Sequence, residues 1–537
     1  MSAENKVFIY DTTLRDGAQA EGVVFSPVSK IRVAKMLDAF GVDYIEGGFA
    51  ASNPKDMAFF KEIKKENLQH AKVAAFGSTR RARTSVEEDK GSLALLEADT
   101  EVCTIFGKTW LLHVTEVLNT TPDENLAMIE DTCRFLKEHG KEVVYDAEHF
   151  FDGYKDNPDY ALQTLGAAVK GGADVLVLCD TNGGRLPHEV FEITTLIRER
   201  FDVAVGVHTH NDSEFGVANA MEAVRAGAVQ VQGTINGFGE RCGNCNLVSV
   251  VANLLMKTDR MCLADPSNLS GLKQLSRFVN EQANLRDNAR AAFVGESAFA
   301  HKAGMHVDGV RKVSQSFEHV TPESVGNERR ILISELSGAS NVMEKLLEMG
   351  KHDMERKSPE VREILKTMEK MEKSGYVYET AEASFKMLIK KVLKEHKNFF
   401  ELEGFRVIVE KHSKDEPCLS EATIKLKVNG ERAFTVGEGD GPVDALNMAL
   451  RRALQKFYPD IDHVHLADYR VSILDPEEAT AAKTRVVVES SDGEVTWTTV
   501  GVSENIIEAS WEALVDGVEY KLFLNEEKAC QELLEKV

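Results

Sequence analysis

The sequence predicts an α/β chain: a (β/α)8 TIM barrel, then a helical linker subdomain, then a duplicated α+β C-terminal domain. Three observations carry this. Eight short β-rich runs alternate with amphipathic helical stretches up to about residue 330, which is the count of a closed parallel barrel. Polar residues gather at the C-terminal ends of those runs, where barrels of this kind place their chemistry. After about residue 402, strand-like runs lead twice into a helix.

The candidate strands are 7–13, 42–48, 72–77, 101–107, 142–148, 174–181, 203–210 and 229–236. Between them lie helix-like segments such as SKIRVAKMLDAFG and ENLAMIEDTCRFLKEHG, closing on glycine as helices tend to. A doubly wound open sheet is the alternative. It usually carries a Gly-rich phosphate loop after its first strand, and DTTLRDGAQ is no such loop. The barrel reading gives a catalytic region 1–330, a helical linker 331–401 and a C-terminal domain 402–537. Within the last, Thr435, Val436 and Gly437 match Thr499, Val500 and Gly501, and Ala445, Ala449 and Leu450 match Ala509, Ala513 and Leu514, at a fixed offset of 64. Duplication creates a pseudo-twofold seam, suited to a small ligand or to a subunit contact.

Composition narrows the classes of function. A chain of 537 residues exceeds one ordinary domain. Its 64 Lys plus Arg against 87 Asp plus Glu give a formal charge of -23. That argues against a nucleic-acid partner, because such binding draws on clustered cations. No stretch approaches the roughly 20 apolar residues that span a bilayer, so no membrane partner is expected. The start MSAENKVFIYD lacks the pattern of a signal peptide. The eight cysteines are scattered, which fits a reducing cytoplasm rather than a disulfide framework. Cys242 and Cys245 form a lone C-x-x-C with no second pair at zinc-ligand spacing, and read as half-buried thiols.

The strand ends bring Asp11, Arg15, Asp16, Glu46, Glu148, Asp180, Thr181, His208, His210 and Asn236 towards one mouth. His208 and His210 are the sharpest signal. Residues i and i+2 of a strand point to the same side, so both imidazoles can face one divalent metal, from zinc to manganese or iron. Asp16 could add an oxygen from the end of strand one. Beside it, Arg15 could hold a substrate carboxylate or stabilise a developing oxyanion.

These residues fall into a known pattern. DTTLRDGAQ (11–19) resembles the D-x-x-L-R-D-G signature of the acyltransferase and lyase superfamily built on metal-dependent TIM barrels. HTHND (208–212), GVAN (216–219) and NGFGERCGN (236–244) resemble the second signature of its synthase branch, the 2-isopropylmalate, homocitrate and citramalate synthases. FAHKAGMHVDG (299–309) resembles the segment that reaches over the partner subunit's active site, and the duplicated region is similar to the branch's allosteric domain. The resemblance spans nearly the whole chain.

It implies a homodimer that uses acetyl-CoA and a 2-oxo acid, with Mn2+ or Mg2+, or alternatively Zn2+. The implied metal ligands are Asp16, His208, His210 and Asn244. Arg15 and Thr181 would touch the 2-oxo acid, Glu148 would be a catalytic acid, and His306 and Asp308 would act across the dimer. Where the family commonly has a tyrosine, this chain has Phe317, so any proton transfer by that hydroxyl passes to His306 or a water.

The branch differs in its 2-oxo acid: pyruvate, 2-oxoisovalerate or 2-oxoglutarate. Phe76, Phe106 and Tyr145 are bulky residues at strand ends that would shrink the pocket towards pyruvate, and LRDGAQAEGV (14–23) resembles the citramalate group most. Arg80, Arg81 and Arg83 keep a second substrate carboxylate open. The resemblance further implies isoleucine biosynthesis and isoleucine as feedback inhibitor. A retro-aldol lyase on the same barrel and a non-catalytic amino-acid sensor are the other classes.

Overall fold

The computed structural model describes residues 5–51, 54–302, 304–332, 339–352, 354–414, 417–474, 482–493 and 495–535. It divides into two units, 1–299 with 318–330, and 300–317 with 331–537.

The first unit is the expected barrel. Strands β1 (Phe8–Asp11), β2 (Tyr44–Phe49), β3 (Lys72–Ser78), β4 (Val102–Lys108), β5 (Glu142–Glu148), β6 (Val175–Asp180), β7 (Ala204–Thr209) and β8 (Gln230–Gly233) run parallel in chain order and close through β8 against β1. Strand alternation divides their side chains between two cores. Tyr10, Tyr44, Ala74, Val102, Val144, Val175, Val177 and Cys179 fill the interior. Ile9, Ile45, Ala75, Cys103, Val143, Leu176 and Val205 face the surrounding helices. Three of those helices start with one chemical device. Ser26, Thr121 and Asn157 each accept a backbone N–H three residues on, and each precedes a proline at the first helical position.

Strand β2 departs from strict alternation. Its register against β3 shifts between Glu46 and Gly48, so that Phe49 pairs with Phe76. A Cβ on Gly47 would run into Phe59, which only glycine avoids. A buried ion pair holds the bulge: Lys30 Nζ lies 3.1 Å from the Gly47 carbonyl and 2.7 Å from Asp56 Oδ1, and Asp56 Oδ2 accepts the Phe49 N–H at 3.0 Å.

In the second unit, helices Ala339–Glu348, Pro359–Lys373 and Glu382–Val392 share an apolar cluster around Val361, Ile364, Phe385 and Ile389. Beyond them lie two antiparallel three-stranded sheets. Strands Glu401–Glu410, Leu419–Val428 and Glu431–Gly439 lead into helix Pro442–Gln455, and His465–Ile473, Thr484–Ser491 and Thr496–Ser503 lead into helix Ile506–Glu535.

The 64-residue repeat has a physical content. Thr435 donates to the Ala449 carbonyl at 2.8 Å, and Thr499 to that of Ala513 at 2.7 Å. A Cβ on Gly437 would strike the Ala445 carbonyl, and one on Gly501 that of Ala509. Each copy thus seats its helix directly on its third strand. Among the described residues, no helix is long and apolar enough to cross a membrane.

Asp56→Ala strands a buried ammonium, which costs about 3–5 kcal/mol. Urea denaturation is expected to show that loss, and Lys30→Met/Asp56→Met is expected to lose less than Asp56→Ala alone.

Candidate active site

The site is assembled from the end of β1 outward. Asp11, wholly buried, accepts the Thr13 N–H at 3.0 Å and its hydroxyl at 2.9 Å, which folds the chain sharply after the strand. Burial pushes Asp11 up to about 7. Thr13 Oγ1 in turn accepts the Ile235 N–H at 2.9 Å, tying this turn to the end of β8.

Glu46 on β2 gathers donors from β1 and its turn. Tyr10 OH donates to Oε1 at 2.8 Å, Arg15 Nε to Oε2 at 2.6 Å, and Thr12 Oγ1 to the same oxygen. The Arg15 guanidinium is thereby laid 3.7 Å from the centroid of the Phe76 ring. Phe76 stacks on Phe106 with centroids 5.5 Å apart, and Phe49 meets Phe76 edge-on at 5.5 Å. Phe49, Phe76 and Phe106 make one aromatic wall under Arg15.

Next to Arg15, Asp16 meets His208 of β7 and His210 just beyond it. Its Oδ2 lies 3.3 Å from His208 Nε2 and 3.9 Å from His210 Nε2, and the two Nε2 atoms are 3.3 Å apart. Ligand atoms of all three residues lie within 4.8 Å of one another. Burial works against the Asp16 charge, yet the Arg15 charge and His208 hold its carboxyl far below the usual range. Burial pushes His210 down to about 3, leaving it neutral as a metal ligand must be. For His208 burial also lowers, but the Asp16 hydrogen bond and charge carry it above its ordinary value.

Asn244 bridges His210 across an isolated antiparallel pair. Its Nδ2 donates to the Phe238 carbonyl at 3.2 Å, while its buried Oδ1 has no hydrogen-bond partner. Two imidazole nitrogens, a carboxylate and a free amide oxygen fit a divalent transition metal.

The remaining residues fall into three groups. Glu148 stands at the end of β5, ion-paired to Lys108, whose ammonium lies 5.4 Å from the Phe106 ring. Thr181 Oγ1 accepts the His149 N–H at 2.9 Å, and its carbonyl accepts Arg241 Nη2 at 2.6 Å; Arg241 also grips Asp212. Asp180 and Asn236 serve the framework. Asp180 accepts the Gly184 and Arg185 N–H groups, and Asn236 bonds Ser276 and Asn280.

His306 and Asp308 belong to the second unit, on helix Gly304–Lys312. There the His306 ring lies 5.1 Å from Phe317 and Asp308 pairs with Lys312. Arg80, one of three arginines kept for a second carboxylate, is engaged by Glu124 and Asp131. Cys245 is buried and Cys242 exposed, and both are free thiols.

Tyr145 is a correction. The alternation that turns Val144 into the barrel turns Tyr145 outward, where it packs in the core shared with the helices beside Ile129, Cys133 and Tyr160. It does not line the pocket. Phe49 takes its place, and the sequence hid it: without the bulge, Phe49 would point outward. The adjacent glycines at 47 and 48 were the available signal. Gln232 and Asp146, both in the barrel interior, are silent in the sequence, because an isolated polar residue in a strand carries no motif.

A closed parallel barrel with a carboxylate and two histidines gathered at its strand ends defines the class. The HMGL-like family model matches residues 6–279, the homocitrate synthase post-HMGL domain-like model 293–375, and the LeuA allosteric (dimerisation) domain 379–522. The chain is 54% identical over 521 residues to the (R)-citramalate synthase of Geobacter sulfurreducens, covering 97% of this chain and 98% of that one. Identity is 52% to the (R)-citramalate synthase of Aquifex aeolicus, covering 97% and 99%. It is 30% to the 2-isopropylmalate synthase of Methanocaldococcus jannaschii, covering 98% and 97%. The chain belongs to the (R)-citramalate synthase family.

Purified protein is expected to bind one Mn2+ per chain by isothermal titration. Asp16→Ala and His208→Ala are each expected to weaken binding by more than about 100-fold, since each removes a ligand outright rather than an outer partner.

Proposed function

We propose that this chain condenses acetyl-CoA with pyruvate and water to give (R)-citramalate and CoA, as a homodimeric cytoplasmic enzyme of isoleucine formation. The observation that carries the reading is the arginine laid between an aromatic wall and the Asp16–His208–His210 cluster, in a chain sharing about half its residues with (R)-citramalate synthases over nearly its full length.

A divalent cation such as Mn2+ or Mg2+, held by Asp16, His208, His210 and Asn244, would polarise the keto carbonyl of pyruvate. The chain's own groups do the rest. Arg15 turns Nε to Glu46 and Nη1 to Asp16, which leaves Nη2 for the oxygen that gains negative charge. Thr181 contacts the 2-oxo acid. Phe76 and Phe106, with Phe49, leave space for a methyl group beyond the keto carbon. His306 removes the proton from the acetyl methyl across the dimer, with Asp308 also supplied there and Glu148 as the acid. Hydrolysis of the thioester releases CoA and makes the step irreversible. Isoleucine, bound by the duplicated C-terminal domain, is the feedback inhibitor.

CoA release measured in parallel with pyruvate, 2-oxobutanoate, 2-oxoisovalerate and 2-oxoglutarate tests the reading. Pyruvate should be preferred, and a preference for 2-oxoisovalerate would move the chain to 2-isopropylmalate synthesis. Phe76→Ala is expected to reduce the pyruvate-to-2-oxobutanoate ratio of kcat/KM by about 10-fold or more, the scale of one methylene. His306→Ala should lower kcat by about 100-fold or more. Removing residues 402–537 should abolish inhibition by isoleucine; inhibition that persists would place the effector elsewhere.

A further inference from the structure

Behind the metal cluster a buried chain of hydrogen bonds crosses the barrel interior. His208 Nδ1 lies 2.9 Å from Gln232 Oε1, and Gln232 Nε2 donates to Asp146 Oδ1 at 2.9 Å. The three residues come from different strands, β7, β8 and β5, and their exposures are 5%, 0% and 3%. The pairing of His208 with Gln232 follows from strand register, since the two stand opposite each other on β7 and β8.

In its ionised form, which burial reserves for pH above about 7, the Asp146 carboxylate accepts only, so it holds the NH2 end of the Gln232 amide. Turning the amide over would set its oxygen against a carboxylate and leave its NH2 facing His208. With the amide fixed, Oε1 faces Nδ1, Nδ1 carries a hydrogen, and Nε2 points towards Asp16 and His210.

We propose that Gln232 is a positioning residue of the metal site, fixed by Asp146, which sets the tautomer and ring angle of His208. The inference rests on the metal reading above. Its logic is general: a ligating histidine is oriented by the partner of its other nitrogen, and losing that partner weakens metal binding about 10–100-fold. Here the partner is a neutral amide, and the carboxylate stands one residue further back. The carboxylate therefore aligns the imidazole without adding a negative charge directly against it.

Mn2+ affinity of the full chain, by isothermal titration, tests this apart from activity. Gln232→Met keeps the length and burial of the side chain but offers only a weak thioether acceptor, and should weaken binding about 10–100-fold, with the apo melting temperature lowered because buried Asp146 loses its donor. The exchanged pair Gln232→Glu/Asp146→Asn restores the pattern, with the amide introduced at position 146 donating to a carboxylate at position 232 that accepts from Nδ1. It should return affinity to within a few-fold of the parent. Parent-like binding by Gln232→Met, or no recovery in the exchanged pair, overturns the proposal while leaving the metal site standing. Absence of Mn2+ binding in the parent chain overturns both. Should Gln232→Met fail to fold, Asp146→Asn alone is the second variant. It frees the amide to turn and should weaken binding several-fold, and unchanged affinity would overturn the proposal.

Discussion

Glu46 is a carboxylate with no exposure to solvent, and the order of the site depends on it. It receives the guanidinium of Arg15, the phenol of Tyr10 and the hydroxyl of Thr12. A buried charge is tolerated only when paired and hydrogen-bonded, and Glu46 meets that demand by drawing in the whole end of β1. Arg15 is thereby fixed on one side to Glu46 and on the other to Asp16, which meets His208 and His210. Removing Glu46 would leave Arg15 with Asp16 alone, 3.5 Å away, and free the turn that carries Asp16.

The barrel supplies that arrangement through period and closure. Alternation sends every second residue inward, so the layers above the apolar interior are built from Glu46, Thr104, Asp146, His208 and Gln232. Closure of β8 on β1 brings His208 of β7, and His210 just beyond it, close to the turn bearing Arg15 and Asp16. Polar groups that are distant in sequence become neighbours, and each restricts the rotamers of the next.

Much of this was legible from local pattern. The i, i+2 histidines needed only the two-residue period of a strand. The run from Asp11 to Gln19 marked the end of β1, and the offset of 64 marked the duplication, because Gly437 and Gly501 are both required where a helix presses on a strand. Tyr145 was not legible, since facing depends on a phase that a seven-residue strand does not announce. Phe49 was hidden for a stronger reason. Its direction is set by a bulge held by Lys30 and Asp56, which lie on helices before and after the strand. Gln232 gains its meaning only from the register that sets it against His208. Tertiary geometry, rather than residue type, decided these three.

The bulge in β2 makes the composition of the aromatic wall depend on one extra residue. Phe49 faces inward because one extra position precedes it. Flattening the bulge at constant length, as loss of the Lys30–Asp56 pair would do, turns Phe49 outward and sets Gly48 at the wall while every aromatic stays in the gene. A change on either flanking helix would thereby reshape the wall with no substitution among its aromatics. Comparing pocket residues column by column would miss such a change, because the altered property is the phase of the backbone.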